Sequence, residues 1–394
     1  MEDLDFPLVE AREGLVKFYV PKADFQPRGP GSARLPVFYN PAMELNRDLA
    51  VAFLNALSPK HRIRRVCDPM AGCGVRGIRF AVEVEGVEWA ALNDLNPRAA
   101  KLSMLNVRKA GVEGRVSVFN LDADEFLAKH SAPNRRFDYV DLDPYGSPMP
   151  YLDSCLKAVR AGGFLALTAT DLPPLCGIYP KTCLRRYWAK PLRTEYCHEI
   201  AVRILIGAAA RLASRLDLAL KPLFTHASDH YVRVYFQVLK GAKRADKTLE
   251  ELGFIYHCPS CLSRKPLKGF LSSKVECEVC GREMDYAGPL WLGELWDGET
   301  VEAMASIIPK LKLGQAWRAA GILEKILSEL RVPAVTYYVV DRLAERFRVR
   351  PLSPKRLIEE VEARGFKASL THFTPQGVRT NAPLTVLAEI LRKS

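Results

Sequence analysis

Apolar positions in the first half of the chain follow two rhythms. "RVCD", "VEWAALND", "VSVF", "FDYVDL" and "GGFLALTATD" are short, mostly apolar runs of strand length. Between them, "VRGIRFAVE", "NPRAAKLSMLNVRKAG" and "DADEFLAK" place apolar residues three or four apart, as in helices with one buried face. The stretch 35–57, "LPVFYNPAMELNRDLAVAFLNAL", predicts a further helix, with Asn40 as N-cap and Pro41 in its first turn. Asn96 and Pro97 open another helix and Gly111 closes it. This alternation predicts an α/β fold: a mostly parallel, Rossmann-like sheet with helices on both faces.

The second half changes character. Residues 172–193 are rich in Pro, Cys and Arg and read as a loop; "EYCHEIAVRILIGAAARLASRL" is a long amphipathic helix. "LALKPLFTHASDHYVRVYFQVLKG" predicts two strands around a polar turn at Asp229, an antiparallel ending to the sheet. By fold analogy, such an ending marks methyltransferase sheets rather than nicotinamide-binding ones. Past residue 245 come a cysteine module (254–286), helices at 334–347 and 354–364, "FKASLTHFTPQGVRTNAP" and a short closing helix. Helix, helix, hairpin is similar to a winged helix, with a small packing domain as the plainer alternative. The expected division is 1–245, an N-terminal segment plus the catalytic sheet, and 246–394, a C-terminal α+β domain with a zinc ribbon (about 254–286) and a winged-helix-like tail (about 330–394).

A chain of 394 residues exceeds what one core usually organises. No run approaches a membrane span, and the acidic N-terminus "MEDLDFPLVEAREG" lacks a signal-peptide core, so a soluble, cytoplasmic protein is expected. A formal charge of +12 favours a polyanionic partner, although solvated lysines and arginines alone would also produce it.

Among the ten cysteines, Cys258, Cys261, Cys277 and Cys280 form C-x2-C pairs fifteen residues apart. This is the spacing of a closed, structural tetrathiolate zinc site, with "GFLSSKVE" as the hairpin between knuckles. Two disulfides are the competing reading, disfavoured in a cytoplasmic chain. Lys265, Lys268 and Lys274 either touch phosphates or keep the ribbon soluble. The other six cysteines read as small buried hydrophobes, with a disulfide among them left open.

"DPMAGCGVRGIRF" places Gly72, Gly74 and Gly77 as G-x-G-x-x-G between strand and helix, where the backbone turns tightly against a ligand. Asp94 ends the next strand and suits the two ribose hydroxyls of an adenosine-containing cofactor. Asp68, beside the turn, would repel a pyrophosphate but tolerate a sulfonium, which selects S-adenosyl-L-methionine. Asp122 and Ala123 fall where such folds hold adenine; Asp122 as a helix cap is compatible with that.

"DLDPYGSP" ends the fourth strand with an acid, a proline, an aromatic ring and a glycine. An exocyclic aryl amine attacks a methyl group poorly because its lone pair is delocalised into the ring. A carboxylate at Asp143 accepting one N–H, with the Pro144 carbonyl near the second, draws that lone pair out and takes the proton. Tyr145 offers a face for stacking on a base. The plainer readings are a capping Asp143 and a core Tyr145. Asp141 is the competing acid, but Asp143 lies at the strand tip, where open α/β sheets bind ligands.

These stretches, with "VFYNPAMELNRD", "GVRGIRFA", "TATDLPPLCG" and "DHYVRVYF", resemble the tRNA (guanine-26, N2)-dimethyltransferase family over nearly the whole length. The resemblance implies a class I S-adenosylmethionine-dependent methyltransferase acting on N2 of guanine 26, and in a minority of members also 27, of tRNA. It further implies that Arg47 and Arg76 contact the cofactor with Asp94, Asp122 and Ala123, that Asp143 is the catalytic acid, and that Phe38 and Tyr145 hold the guanine between two rings. Three other readings compete: an adenine-N6 DNA or RNA methyltransferase using the same loop, a nicotinamide oxidoreductase, which gives Asp-Pro-Tyr-Gly no role, and a non-enzymatic nucleic-acid-binding protein, which leaves Asp94 and Asp143 unused.

Overall fold

The computed structural model describes residues 4–22 and 36–393; Met1–Asp3 of the acidic terminus and Leu35 lie outside the described residues. Strands β1 (Leu8–Glu13) and β2 (Val16–Pro21) pair as an antiparallel hairpin through Gly14. Helix and strand then alternate: α1 (Glu44–Leu57), β3 (Arg65–Asp68), α2 (Val75–Glu83), β4 (Trp89–Asn93), α3 (Pro97–Lys109), β5 (Val116–Phe119), α4 (Ala123–Lys129), β6 (Phe137–Leu142), α5 (Leu152–Ala158) and β7 (Val159–Ala169). Next come α6 (Leu172–Leu175), α7 (Pro180–Tyr187), α8 (Cys197–Ser214), β8 (Leu218–Ser228) and β9 (Tyr231–Lys240). Residues 172–193 are therefore not a plain loop: prolines that cannot continue a helix open α6 and α7 from their first turns.

The central sheet has seven strands in the order β5-β4-β3-β6-β7-β9-β8, parallel except for β9, which runs antiparallel to both β7 and β8. The order reverses between β3 and β6, so a crevice opens outside their carboxyl ends, where such sheets hold ligands. The glycine turn leaves β3 and Asp-Pro-Tyr-Gly leaves β6, both at this crevice.

The chain continues as α9 (Ala242–Leu249), β10 (Leu252–His257), β11 (Arg264–Lys268), β12 (Asp285–Trp291), α10 (Gly298–Ile307) and α11 (Ala316–Glu329). Then follow β13 (Tyr338–Val339), α12 (Val340–Phe347), α13 (Pro354–Glu362), β14 (Ala368–Leu370), β15 (Gly377–Thr380) and α14 (Leu384–Lys393). Strands β11-β10-β12 form one small antiparallel sheet and β13-β15-β14 another. The hairpin expected at "GFLSSKVE" is instead β10 and β11 around the first cysteine pair; 269–276 contains no strand, only a single bridge from Glu276 to Glu283. The helix expected over 334–347 starts at Val340, because 334–339 enters through a short strand.

Two hydrophobic cores do not divide at residue 245. The first takes in Leu252, Ile255, Leu290, Trp296, Met304 and Leu323 together with the sheet, and the second joins Phe254, Cys258 and Cys261 to Val340, Leu357 and Leu387. A buried polar cluster ties them: Arg379 on β15 donates to Glu199 of α8 at 2.7 Å and to Glu329 of α11 at 2.8 Å. Glu329 also accepts from Thr371 and His372. Among the described residues, no helix is long and apolar enough to cross a membrane.

Candidate active site

A cavity of about 540 Å³ occupies the crevice. Its inner wall is the glycine turn. Gly72 has φ +56, and a Cβ there would lie 2.8 Å from the carbonyl oxygen of Phe38, so only glycine lets these two segments meet. Gly74 and Gly77 do not line the cavity. At Gly77 a Cβ would collide with Leu92, so this glycine lets α2 press against β4.

Asp94, at the tip of β4, lines the cavity and accepts hydrogen bonds from the amides of Gly72 (2.8 Å) and Asn96 (2.9 Å). Burial raises its pKa, and these two amides partly offset the rise. Asp122 is both the cap of α4, accepting from Asp124 at 2.9 Å, and a wall of the cavity beside Ala123. Met70 and Leu95 also line the cavity and add apolar surface to its wall. Arg47 also lines it, with its guanidinium held by Glu13 of β1 (2.7 and 2.5 Å) and the carbonyl of Asn40.

Asp68 and Arg76 do not reach the cavity. Asp68 is buried at the end of β3, and burial pushes its carboxyl up to about 7, against the nearby Arg76 and with Asp141 and Asp143 adding to the rise. Arg76 lies beneath the site: it hydrogen-bonds Asp143, donates to Asn46 at 2.8 Å, and sits 3.4 Å from Asp141 and 4.0 Å from Asp68. Asp141 is fully buried and turned inward, accepting from Tyr139 (2.6 Å) and Arg233 (2.5 Å). Burial opposes its charge, yet Arg233 and Arg76 hold it below the usual carboxylate range. Of the two acids in "DLDPYGSP", only Asp143 faces the cavity.

The loop after β6 is pinned at its glycine: the Gly146 amide donates to the Thr170 hydroxyl at 2.7 Å, and the Thr170 amide to the Gly146 carbonyl at 3.0 Å. Tyr145 is 74% exposed and Phe38 41%, so neither is a core ring. Their centroids are 5.8 Å apart with the planes perpendicular. A base between parallel rings needs them about 7 Å apart, twice the van der Waals contact distance. Here the two rings meet edge to face, closer than that spacing.

Several wall residues escaped the sequence reading, among them Asn40, Met43, Tyr151, Thr170 and His230. Thr170 carried a usable signal, since it follows directly on β7 at the ligand end of the sheet. Glu13 carried none: its partners Arg47 and Arg79 are distant in sequence.

Away from this crevice, the sulfurs of Cys258, Cys261, Cys277 and Cys280 lie within 4.8 Å of one another, with Cys258 3.4 Å from Cys280 and Cys261 3.4 Å from Cys277. Four thiols converging in this way match a tetrahedral thiophilic site and leave no position open for substrate.

The sheet with its one reversed strand, β9, the glycine turn and the acid at the second strand tip define a protein of the methyltransferase class of α/β folds. The family model described as N2,N2-dimethylguanosine tRNA methyltransferase matches residues 14–392, and the chain belongs to that family. It is 39% identical to the tRNA (guanine(26)-N(2))-dimethyltransferase of Methanosphaera stadtmanae, across 98% of this chain and 97% of that one. It is 38% identical to the tRNA (guanine(26)-N(2)/guanine(27)-N(2))-dimethyltransferase of Aquifex aeolicus, across 94% and 92%. The structure of Trm1 from Pyrococcus horikoshii in complex with S-adenosyl-L-methionine superposes with a TM-score of 0.86 at 35% identity, covering 97% of this chain and 99% of that one.

Proposed function

We propose that the chain transfers methyl groups from S-adenosyl-L-methionine to the exocyclic N2 of guanine 26 in tRNA, first one and then a second. The carrying observation is the charge of the cavity wall. Among the described residues, Asp94, Asp122 and Asp143 line it against Arg47, which pairs with Glu13, while Arg76 pairs with Asp143 from beneath, so the unpaired charge on the wall is that of Asp94 and Asp122. Such a wall rejects a pyrophosphate and accepts a sulfonium, which favours this donor over a nicotinamide dinucleotide. Asp94 would hold the ribose hydroxyls of the donor and Asp122 with Ala123 its adenine; Arg47 braces the wall through Glu13.

The bound donor supplies a methyl group on an already activated leaving group. Asp143 does the orienting: its carboxylate accepts one N–H of the guanine amine and turns the nitrogen lone pair toward the methyl carbon. As the N–C bond forms and the S–C bond breaks, the nitrogen's extra proton passes to Asp143. A weak acceptor suffices, because an aryl nitrogen that has gained a methyl sheds its proton readily. Arg76 is a positioning residue, fixing the rotamer of Asp143 from below. Tyr145 and Phe38 open to stack the base, and Pro144 stiffens the loop between acid and ring.

The four cysteines hold structural zinc in a ribbon formed by β10, β11 and β12, and α12, α13, β14, β15 and α14 serve as a winged-helix-like element for tRNA. Such an enzyme works in the cytoplasm, with its substrate. The test is nucleoside mass spectrometry of unmodified tRNA after incubation with enzyme and donor. N2-methyl- and N2,N2-dimethylguanosine at position 26 support the reading; N6-methyladenosine, or no methylated nucleoside, overturns it.

A further inference from the structure

A second cleft, of about 450 Å³, lies between α7 and the β10-β11-β12 sheet, outside the methyl-transfer cavity. Its walls carry four rings, Trp188, Phe254, Phe270 and Tyr286, and two lysines, Lys181 and Lys190, and no acidic side chain. The apolar groups at its mouth are unusually open: Trp188 is 53% exposed, Leu184 56%, Phe270 65% and Leu271 90%. Large rings and leucines grouped on a surface mark a binding face. The surrounding charge indicates the kind of partner. Lys190 lies 4.3 Å from the centre of the Tyr286 ring and pairs with Asp285 at 2.5 Å, and Arg185, exposed on α7, donates among the described residues only to the neighbouring Thr182 hydroxyl. Flat rings beside Lys181 and Arg185, cations without an ion pair among the described residues, suit a nucleobase attached to its phosphates.

The cleft is also joined to the catalytic loop. Thr170, which pins Gly146, is followed directly by Asp171, which accepts from Arg186 (2.9 Å) and Tyr187 (2.5 Å) at the end of α7. Asp171 thus links the wall of the first cavity, through Tyr187, to the neighbouring Trp188 in the second. We infer that the Trp188–Phe270 cleft stacks an unpaired nucleotide of the tRNA other than the one methylated, clamping the substrate at a second point. This rests on tRNA being the substrate.

The test uses the full-length protein with Trp188→Ala, Phe270→Ala and the double variant, with tRNA binding read by filter retention. Loss of one stacked base predicts tRNA affinity weaker by about 5-fold or more, with S-adenosyl-L-methionine affinity and light-scattering mass unchanged. Wild-type tRNA affinity in the double variant overturns the inference, as does a change of oligomeric mass with tRNA affinity retained, which would make the cleft a contact between copies. Failure of the wild-type protein to bind or methylate tRNA would instead overturn the proposed function, so the two failures are distinguishable.

Discussion

Replacing Arg76 by methionine separates the guanidinium's charge from its volume. The residue is 5% exposed and meets Asp143, Asn46, Asp141 and Asp68. Asp141 retains Arg233 and Tyr139, so the loss falls on Asp143 and Asp68. Methionine refills most of the space at a packing cost below about 1.5 kcal/mol. Removing one partner of a buried ion pair costs about 3–5 kcal/mol. Asp68, already raised to about 7 by burial, takes up a proton and relieves part of that, leaving a net loss of about 2–4 kcal/mol. Freed from below, the Asp143 carboxylate loses its fixed rotamer, and a misplacement on the scale of an ångström lowers turnover about 100-fold. Cofactor affinity is unchanged, because Arg76 does not line the cavity. The assay pairs calorimetric titration of S-adenosyl-L-methionine with turnover at saturating cofactor, below the variant's melting temperature. Arg76→Lys, which keeps the charge but not the two-nitrogen bridge, recovers stability more than turnover. Weakened cofactor binding with normal turnover would refute this and return Arg76 to the cofactor contact implied by the family resemblance.

Asp94→Ala removes the proposed ribose acceptor and should raise the dissociation constant for S-adenosyl-L-methionine about tenfold or more, the worth of one charge-assisted hydrogen bond, in the same titration. Cys258→Ser should lose bound zinc by elemental analysis and lower the melting temperature more than it lowers turnover; normal zinc content in a stable variant contradicts the tetrathiolate site. Burial works against the charge on Glu199, yet Arg379 and Arg203 hold its carboxyl at about 2, below its unfolded value of 4.5. That stabilisation, about 3 kcal/mol, is present above pH 4.5 and lost as pH falls from there toward 2. Glu199→Gln should therefore be less stable at neutral pH and show a flatter acid limb by scanning calorimetry.

The alternation of apolar strands with amphipathic helices was legible because each element buries a face against its neighbours in the sheet, and period reports burial directly. The glycine turn, Asp94, Asp122 and Asp143 were legible for a related reason: each stands at the carboxyl end of a strand, a place that connectivity fixes. What lies beneath the site was not. Whether Arg76 points into the cavity or under it depends on Asp141 and Asn46, brought there by β6 and α1, and no spacing encodes that meeting. The Glu13–Arg47 pair and the Arg379 cluster are hidden in the same way, as contacts between distant segments. The β1–β2 hairpin did carry a local signal, "LVEAREGLVKFYVP", alternating about Gly14, and was readable in principle. The apolar loop around Phe270 looked like a ribbon hairpin from composition alone. Its exposed rings become informative only when α7 is seen opposite.

At the centre of the account is a single carboxylate at the tip of β6. With Asp143→Ala, single-turnover incubation with unmodified tRNA followed by nucleoside mass spectrometry should show no N2-methylated guanosine at position 26, while S-adenosyl-L-methionine binds as it does to the parent protein. Methylation of the variant at a rate comparable to the parent would contradict the account.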